Sequence, residues 1–356
     1  MLKLRTLLRE WGKNLNLIIK HPYFGFVVFG ALLLVVLLLR MGGLVQIGVV
    51  NAVVLTMIYS IIALGFSLLL GFGGLASLGT AGLVGLGTFV MGYFSGILNW
   101  PLLPTLALAF GIAIVVGLIV GFISLRIEGM YLAIITLGLA EILRAFFISY
   151  DKFTGGFSGR SFRNFTIFNQ PVSTEAVYVT ITVVFVLAMI ATINIIKSPT
   201  GRALLAMKNS DSAAQSLGIS LMKYRLLAFI ISTVFAVLGG ILYIMYIKFS
   251  YAPQWNLAFS LEILAAVIVG GAQSIFGIIL GVFLIYGLNL AVLNNIPFFV
   301  QNPALIVIFN GALIVLVVMF YPGGLIRLIQ TSHFKLKLFL QKLKHRMKVR
   351  RYGEDD

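Results

Sequence analysis

Long apolar runs, separated by short polar or glycine-rich interruptions, make up most of the chain. They fall at residues 24–40, 46–70, 74–98, 102–125, 130–150, 175–196, 226–247, 257–293 and 303–321. A helix crossing a hydrocarbon core about 30 Å thick needs about 20 mainly apolar residues, so nearly every run is long enough to span. The run at 257–293 exceeds one crossing, and Gly270-Gly271-Ala272-Gln273-Ser274 divides it. The part before that break is shorter than a full crossing, which predicts a tilted, short or re-entrant segment. The pattern predicts an all-α polytopic membrane helix bundle of about ten segments.

Composition agrees with lipid as the solvent. Apolar residues are 60% of the chain and charged residues only 10%, against roughly 25% charged in a typical globular domain. Mean hydropathy is +1.08. Soluble enzymes, disordered chains and fibrous proteins are excluded. There is no cysteine, which excludes disulfides, zinc–thiolate sites and iron–sulfur clusters.

The net charge of +16 is localised in a way that speaks against a nucleic-acid partner. Lys3, Arg5, Arg9, Lys13 and Lys20 precede the first run; Lys197, Arg202, Lys208, Lys223 and Arg225 share one loop; nine more cations follow from Arg327 to Arg351. Positive charge beside spanning segments marks the cytoplasmic side. With both termini cytoplasmic, six crossings return the 197–225 loop to that side and four more return the tail. The loop from Asp151 to Glu175 has a balance of only +1 and is expected outside. The chain therefore divides into a cytoplasmic basic N-terminus (1–23), a transmembrane domain (24–321) carrying the cytoplasmic loop 197–225, and a cytoplasmic basic tail (322–356). The first run follows a basic segment but lacks a small-x-small cleavage pattern, so it is expected to be a retained helix. In the tail, Phe334, Leu336, Leu338, Leu343 and Met347 alternate with lysines, a pattern suited to anionic lipid headgroups.

Two acids lie inside runs: Glu141 and Glu262. A charge at a helix centre costs about 2.5–3.5 kcal/mol on insertion scales, while each Leu or Ile returns about 0.3–0.6. Both must face protein, water or a partner. Arg144, three residues after Glu141 on the same helical face, offers a structural ion pair; Glu262 has no evident local partner. Hydroxyl and amide residues recur in the runs (Asn51, Thr56, Tyr59, Ser60, Thr136, Tyr286), where their usual role is to bond backbone. His21, His333 and His345 lie near the termini without metal-ligand spacing, so no metal site is expected. No phosphate-binding or nucleophile motif is present, so any ATP chemistry belongs to another subunit.

Glycines cluster twice in related strings. Gly73-Gly74-Leu-Ala-Ser77 and Gly270-Gly271-Ala-Gln-Ser274 both read GG-x-x-S, each followed by further glycine. One reading is tight helix crossing. The other is a pair of broken helices at corresponding places in two halves, the pattern of a transporter binding region. On that reading the candidate translocation path comprises Gly73, Gly74, Ser77, Thr80, Glu262, Gly270, Gly271 and Gln273.

The cytoplasmic loop reads SPTGRALLAMKNSDSAAQSLGISLMKYRLLAF from Ser198. Pro199 and Gly201 are expected to end the preceding helix, and Arg202–Leu217 to form one short helix stopped by Gly218. Such an element suits docking into a partner's cleft, or lying on the inner leaflet.

Ser212-Ala213-Ala214-Gln-Ser-Leu-Gly218 resembles the E-A-A-x-x-x-G coupling segment of ABC importer permeases, with Ser212 at the glutamate position. LGFSLLLGFGGLASLGTAGLVGLGTF (64–89), LRIEGMYLAIITLGLAEILR (125–144), Thr154-Gly155-Gly156, SLEILAAVIVGGAQSIFG (260–277) and Met319-Phe-Tyr-Pro-Gly-Gly narrow the resemblance to the M-type permease of branched-chain amino-acid ABC transporters. Where that family usually has His after Ser-Leu-Gly, this chain has Thr80.

The resemblance implies a non-catalytic, multi-pass subunit of the cell (inner or plasma) membrane. It would pair with a second permease, two cytoplasmic ATPases and an extracytoplasmic solute-binding protein. It needs no cofactor of its own, since ATP is bound by the partner subunits. The coupling contact would fall on Arg202, Ala203, Met207, Asp211, Ser212, Ala213, Ala214 and Gly218. The expected cargo is a branched-chain amino acid or another small polar solute. The rival expectation is a proton-coupled secondary transporter with Glu141 or Glu262 as relay.

Overall fold

A computed structural model describes residues 23–124, 129–162, 165–167, 170–302, 304–321, 323–328 and 331. The basic segment 1–22, Arg126, Arg163 and the basic tail from 332 onward, together with the roles expected of them, lie outside the described residues.

The chain is an all-α bundle. Its membrane elements are α1 (Phe24–Met41), α2 (Ile47–Phe72), α3 (Thr80–Phe94), α4 (Leu102–Ser124), α5 (Met130–Ser149) and α6 (Thr174–Lys197). Two short helices follow, α7 (Pro199–Asn209) and α8 (Asp211–Ser216). The bundle then continues with α9 (Leu221–Ile247), α10 (Leu257–Gly270), α11 (Ile275–Ala291) and α12 (Ala304–Phe320). Among the described residues six helices are long and apolar enough to cross a membrane, and four more are shorter apolar helices. The last turn of α2 (Leu68–Phe72) and the middle of α11 (Phe283–Gly287) widen into π-helix.

The core sits where α9 packs against α2, α3 and α4. Small residues bring backbones together there. A Cβ at Gly240 would lie 2.0 Å from the Val84 carbonyl oxygen, and one at Gly87 2.2 Å from that of Val237. No side chain fits at these two positions, and close backbone approach is how helices associate without a hydrophobic drive. Thr88 Oγ1 spans the crossing, within hydrogen-bond distance of the Val84 (2.9 Å) and Gly240 (3.1 Å) carbonyls.

At one end of the bundle, β1 (Arg160–Ser161) pairs antiparallel with β4 (Phe249–Ser250), joining the 151–173 loop to the α9–α10 connection; β2 (Thr166–Ile167) and β3 (Gln170–Pro171) form a small hairpin. α9 starts beside α8 and ends beside β4, so this end lies opposite α7 and α8.

Three sequence expectations change. The 74–98 run is helical only from Thr80; residues 74–79 are irregular. The loop expected as one helix from Arg202 to Leu217 is two, parted at Ser210, whose backbone is extended (φ −164°, ψ 116°). Asn209-Ser210-Asp211 favours a cap over a helix interior, and Ser210 Oγ accepts from Ala213 N at 3.3 Å. Finally, Pro199 starts α7 instead of ending α6. Ser198 is the cap, its Oγ accepting from Thr200 N (3.2 Å) and Gly201 N (3.4 Å), and proline at a first helical position has no amide to lose.

Candidate translocation path and coupling surface

α7 is built to be held. Positions 201, 204, 207 and 208 share one helical face. Gly201, Ala203, Leu204 and Met207 are buried, and Leu204 packs into a cluster with Leu68, Leu69, Phe72, Leu75, Val120, Leu132 and Phe229. On that same face Lys208 extends its Nζ to the Gly71 carbonyl at 2.7 Å. The stem runs past Gly74 while the ammonium finds an acceptor, as long cationic side chains do.

α8 is held at one edge only. Asp211 forms an ion pair with Arg225 of α9, whose side chain is buried. Ala214 faces inward, while Ser212, Ala213, Gln215, Ser216 and Gly218 are exposed and Leu217 is 80% exposed. The helix ends in a Schellman turn: Ile219 N bonds the Ala214 carbonyl (3.0 Å) and Gly218 N that of Gln215 (2.9 Å). Gly218 has φ +78°, a conformation that any other residue adopts at a cost. Leu205 and Met222 add exposed apolar area nearby. Of the coupling residues named from sequence, Arg202, Ser212, Ala213 and Gly218 are therefore exposed and Asp211 half-exposed, whereas Ala203, Met207 and Ala214 pack against the bundle.

The two glycine breaks meet each other. A Cβ at Gly71 would lie 2.1 Å from the Ala272 carbonyl oxygen, so the end of α2 and the α10–α11 turn are in backbone contact. Gln273 Nε2 donates to the Gly71 carbonyl at 3.1 Å, the same oxygen that Lys208 holds. One carbonyl thus joins α7 to both breaks. Gly271 turns with φ +108° and packs on Gly324 beyond α12; Gly270 is buried behind it.

Broken backbone at membrane depth needs internal partners, and here side chains from other helices supply them. Thr136 Oγ1 of α5 accepts from Leu78 N at 2.9 Å, and Ser260 Oγ of α10 accepts from Ala81 N at 3.0 Å. Ser77 Oγ accepts from Gly79 N at 3.3 Å. Ser77 and Thr80 are buried; Gly73 is buried and Gly74 exposed against Lys208. Ser77, Thr80, Thr136 and Thr233 border an internal cavity of about 10 Å³, room for one water. The run is closed around those residues.

The two intramembrane acids differ. Arg144 Nη2 lies 2.7 Å from Glu141 Oε2 on a half-exposed face of α5. Glu262 is exposed on α10 beside Tyr59 and Tyr286. Among the described residues no group of three or more metal-ligating side chains gathers.

Lys208, Thr136 and Ser260 were not singled out as site residues from sequence. For Lys208 a signal existed: it follows Leu204 by four, on the buried face of an otherwise amphipathic helix. For Thr136 and Ser260 there was none, since their partners are amides 58 and 179 residues away.

Residues 48–318 match the family described as branched-chain amino acid transport system, permease component. The high-affinity branched-chain amino acid transport system permease protein LivM of Escherichia coli (strain K12) is 31% identical over 266 residues, covering 67% of this chain and 62% of that protein. LivM of Salmonella typhimurium (strain LT2) is 30% identical over 266 residues with the same coverage. The chain thus matches 62% of the length of these curated relatives. No solved structure gives a significant match. The family match covers the broken helices, the ion-paired α8 and the Gly71 junction alike, and the chain, a multi-pass membrane protein, belongs to the branched-chain amino acid transport permease family.

Proposed function

We propose that this chain is one permease subunit of an ABC importer of the cell membrane, forming half of a path for a branched-chain amino acid or a related small polar solute. A second permease completes the path. Two cytoplasmic ATPases supply the work, and an extracytoplasmic solute-binding protein delivers cargo to the end that carries β1 and β4. The subunit itself performs no covalent chemistry.

The observation that supports this reading is the chain of contacts from α8 to the two breaks. Closure of an ATPase pair on ATP displaces α8. The Asp211–Arg225 pair passes that displacement to α9, and α7 passes it through Lys208 to the Gly71 carbonyl, where both breaks meet. A rigid element touching two interrupted helices at one point can bias them between two packings, as an alternating-access switch requires.

The test is ATP-driven uptake and ATPase copurification for Ala213→Asp. The substitution places a charge on an exposed residue of α8 and leaves the bundle's packing alone. Loss of both uptake and ATPase copurification, with normal membrane insertion, is the expected result. Wild-type uptake by this variant would refute the docking role.

A further inference from the structure

Glu262 lies in the second turn of α10, on a face that the isolated subunit leaves exposed. A carboxylate at membrane depth must meet water, protein or a ligand. Among the described residues it has no ion-pair partner within 4.0 Å, in contrast to Glu141 with Arg144. Its surroundings are aromatic instead.

Tyr59 of α2 and Tyr286 of α11 flank the carboxylate. Their ring centroids are 4.4 Å apart. Phe259, one turn before Glu262 on α10, lies 5.6 Å from the Tyr59 ring and 6.4 Å from Tyr286. Tyr243 of α9 stacks on Tyr59 at 6.5 Å. Behind this wall Trp255 is buried, 5.2 Å from both Tyr243 and Phe259, and pinned by its Nε1 donating to Ser250 Oγ at 3.1 Å. Thr56, one turn before Tyr59 on α2, carries a buried hydroxyl with no protein partner. Three helices, α2, α10 and α11, thus contribute rings beside one carboxylate, with Tyr243 of α9 backing Tyr59.

Aromatic faces and a carboxylate attract the same thing, a cation. An alkylammonium suits both, because rings accept its charge electrostatically and its apolar body by contact. We propose that Glu262, with the ring faces of Tyr59, Phe259 and Tyr286, binds the ammonium group of a zwitterionic aliphatic cargo as it passes between the two permeases. The proposal rests on the permease reading above and names the cargo chemistry that this face selects.

The experiment uses the complete importer in proteoliposomes with leucine as probe. Dicyclohexylcarbodiimide, which reaches carboxyls in apolar surroundings, is followed at Glu262 by peptide mass spectrometry. Leucine at ten times its half-saturating concentration is expected to reduce labelling about tenfold, while 2-hydroxyisocaproate, which lacks the ammonium, leaves it unchanged. Equal protection by both compounds, no protection by leucine, or a Glu262 that never labels because the second permease seals it, each overturns the proposal. In parallel, Glu262→Gln is expected to lower maximal leucine uptake about tenfold with ATPase copurification intact, and Glu262→Asp to recover part of the loss. Normal uptake by Glu262→Gln overturns it as well; if that variant fails to assemble, labelling of the unmodified complex decides. Leucine uptake by the unmodified complex reads the permease assignment separately. Its absence would remove both readings, whereas uptake without protection would remove only this one.

Discussion

α7 and α8 are adjacent helices of one loop, yet they are held in opposite ways. α7 buries Gly201, Leu204 and Met207 and spends its one inward-facing cation on the Gly71 carbonyl. α8 buries only Ala214 and is tied at its start by an ion pair. A helix that must transmit displacement needs stiff contacts on the side it pushes; a helix that must engage a partner needs free surface. The break at Ser210 lets one loop supply both.

That contrast can be tested by stability, taking the largest effect first. Leu204→Ala empties a fully buried site, and a change of this kind costs about 2–5 kcal/mol. A lowered melting temperature of the purified subunit in detergent, together with poor recovery, is the expected outcome. A change of only a few tenths of a kcal/mol would mean that α7 is not anchored as described.

Lys208→Met keeps the apolar stem and removes the charged donor to Gly71. A hydrogen bond from a charged group contributes about 1.5–3 kcal/mol, so moderate destabilisation is expected. If this bond links α7 to the breaks, ATP-driven uptake should fall further than stability does, while ATPase copurification persists. Loss of copurification instead would place Lys208 in the docking surface.

Glu141→Gln removes a half-exposed pair on α5, a type of contact that contributes about 0–1 kcal/mol. Slightly reduced melting and unchanged cargo preference are expected. Altered preference would give Glu141 a place on the path. The smallest effect on stability belongs to Leu217→Lys, on the exposed side of α8: within about 0.5 kcal/mol of the parent, as for surface substitutions generally. Uptake should nevertheless be lost. Were melting and uptake to fall together here, the division between the two helices would fail.

The spans were readable because lipid imposes a severe rule. A crossing segment needs a long apolar run, which leaves a one-dimensional mark. The Glu141–Arg144 pair was readable for a similar reason, since three residues on a helix fix a shared face. Gly218 as a helix stop was readable from local chemistry alone. The split at Ser210 was in principle readable too; Asn209-Ser210-Asp211 carries the cap signal, but the good helix formers on both sides outweighed it.

What no stretch of chain could announce is which distant groups share an acceptor. The Gly71 carbonyl takes Lys208 from 137 residues away and Gln273 from 202 residues away. The rings beside Glu262 come from three helices. Such meetings follow from how helices cross, and in a membrane crossings are set by small-residue contacts and shape and not by a hydrophobic drive that a periodicity would reveal. Local sequence therefore settled which segments are helices, while three-dimensional packing alone chose their neighbours and so brought the two breaks together against one lysine.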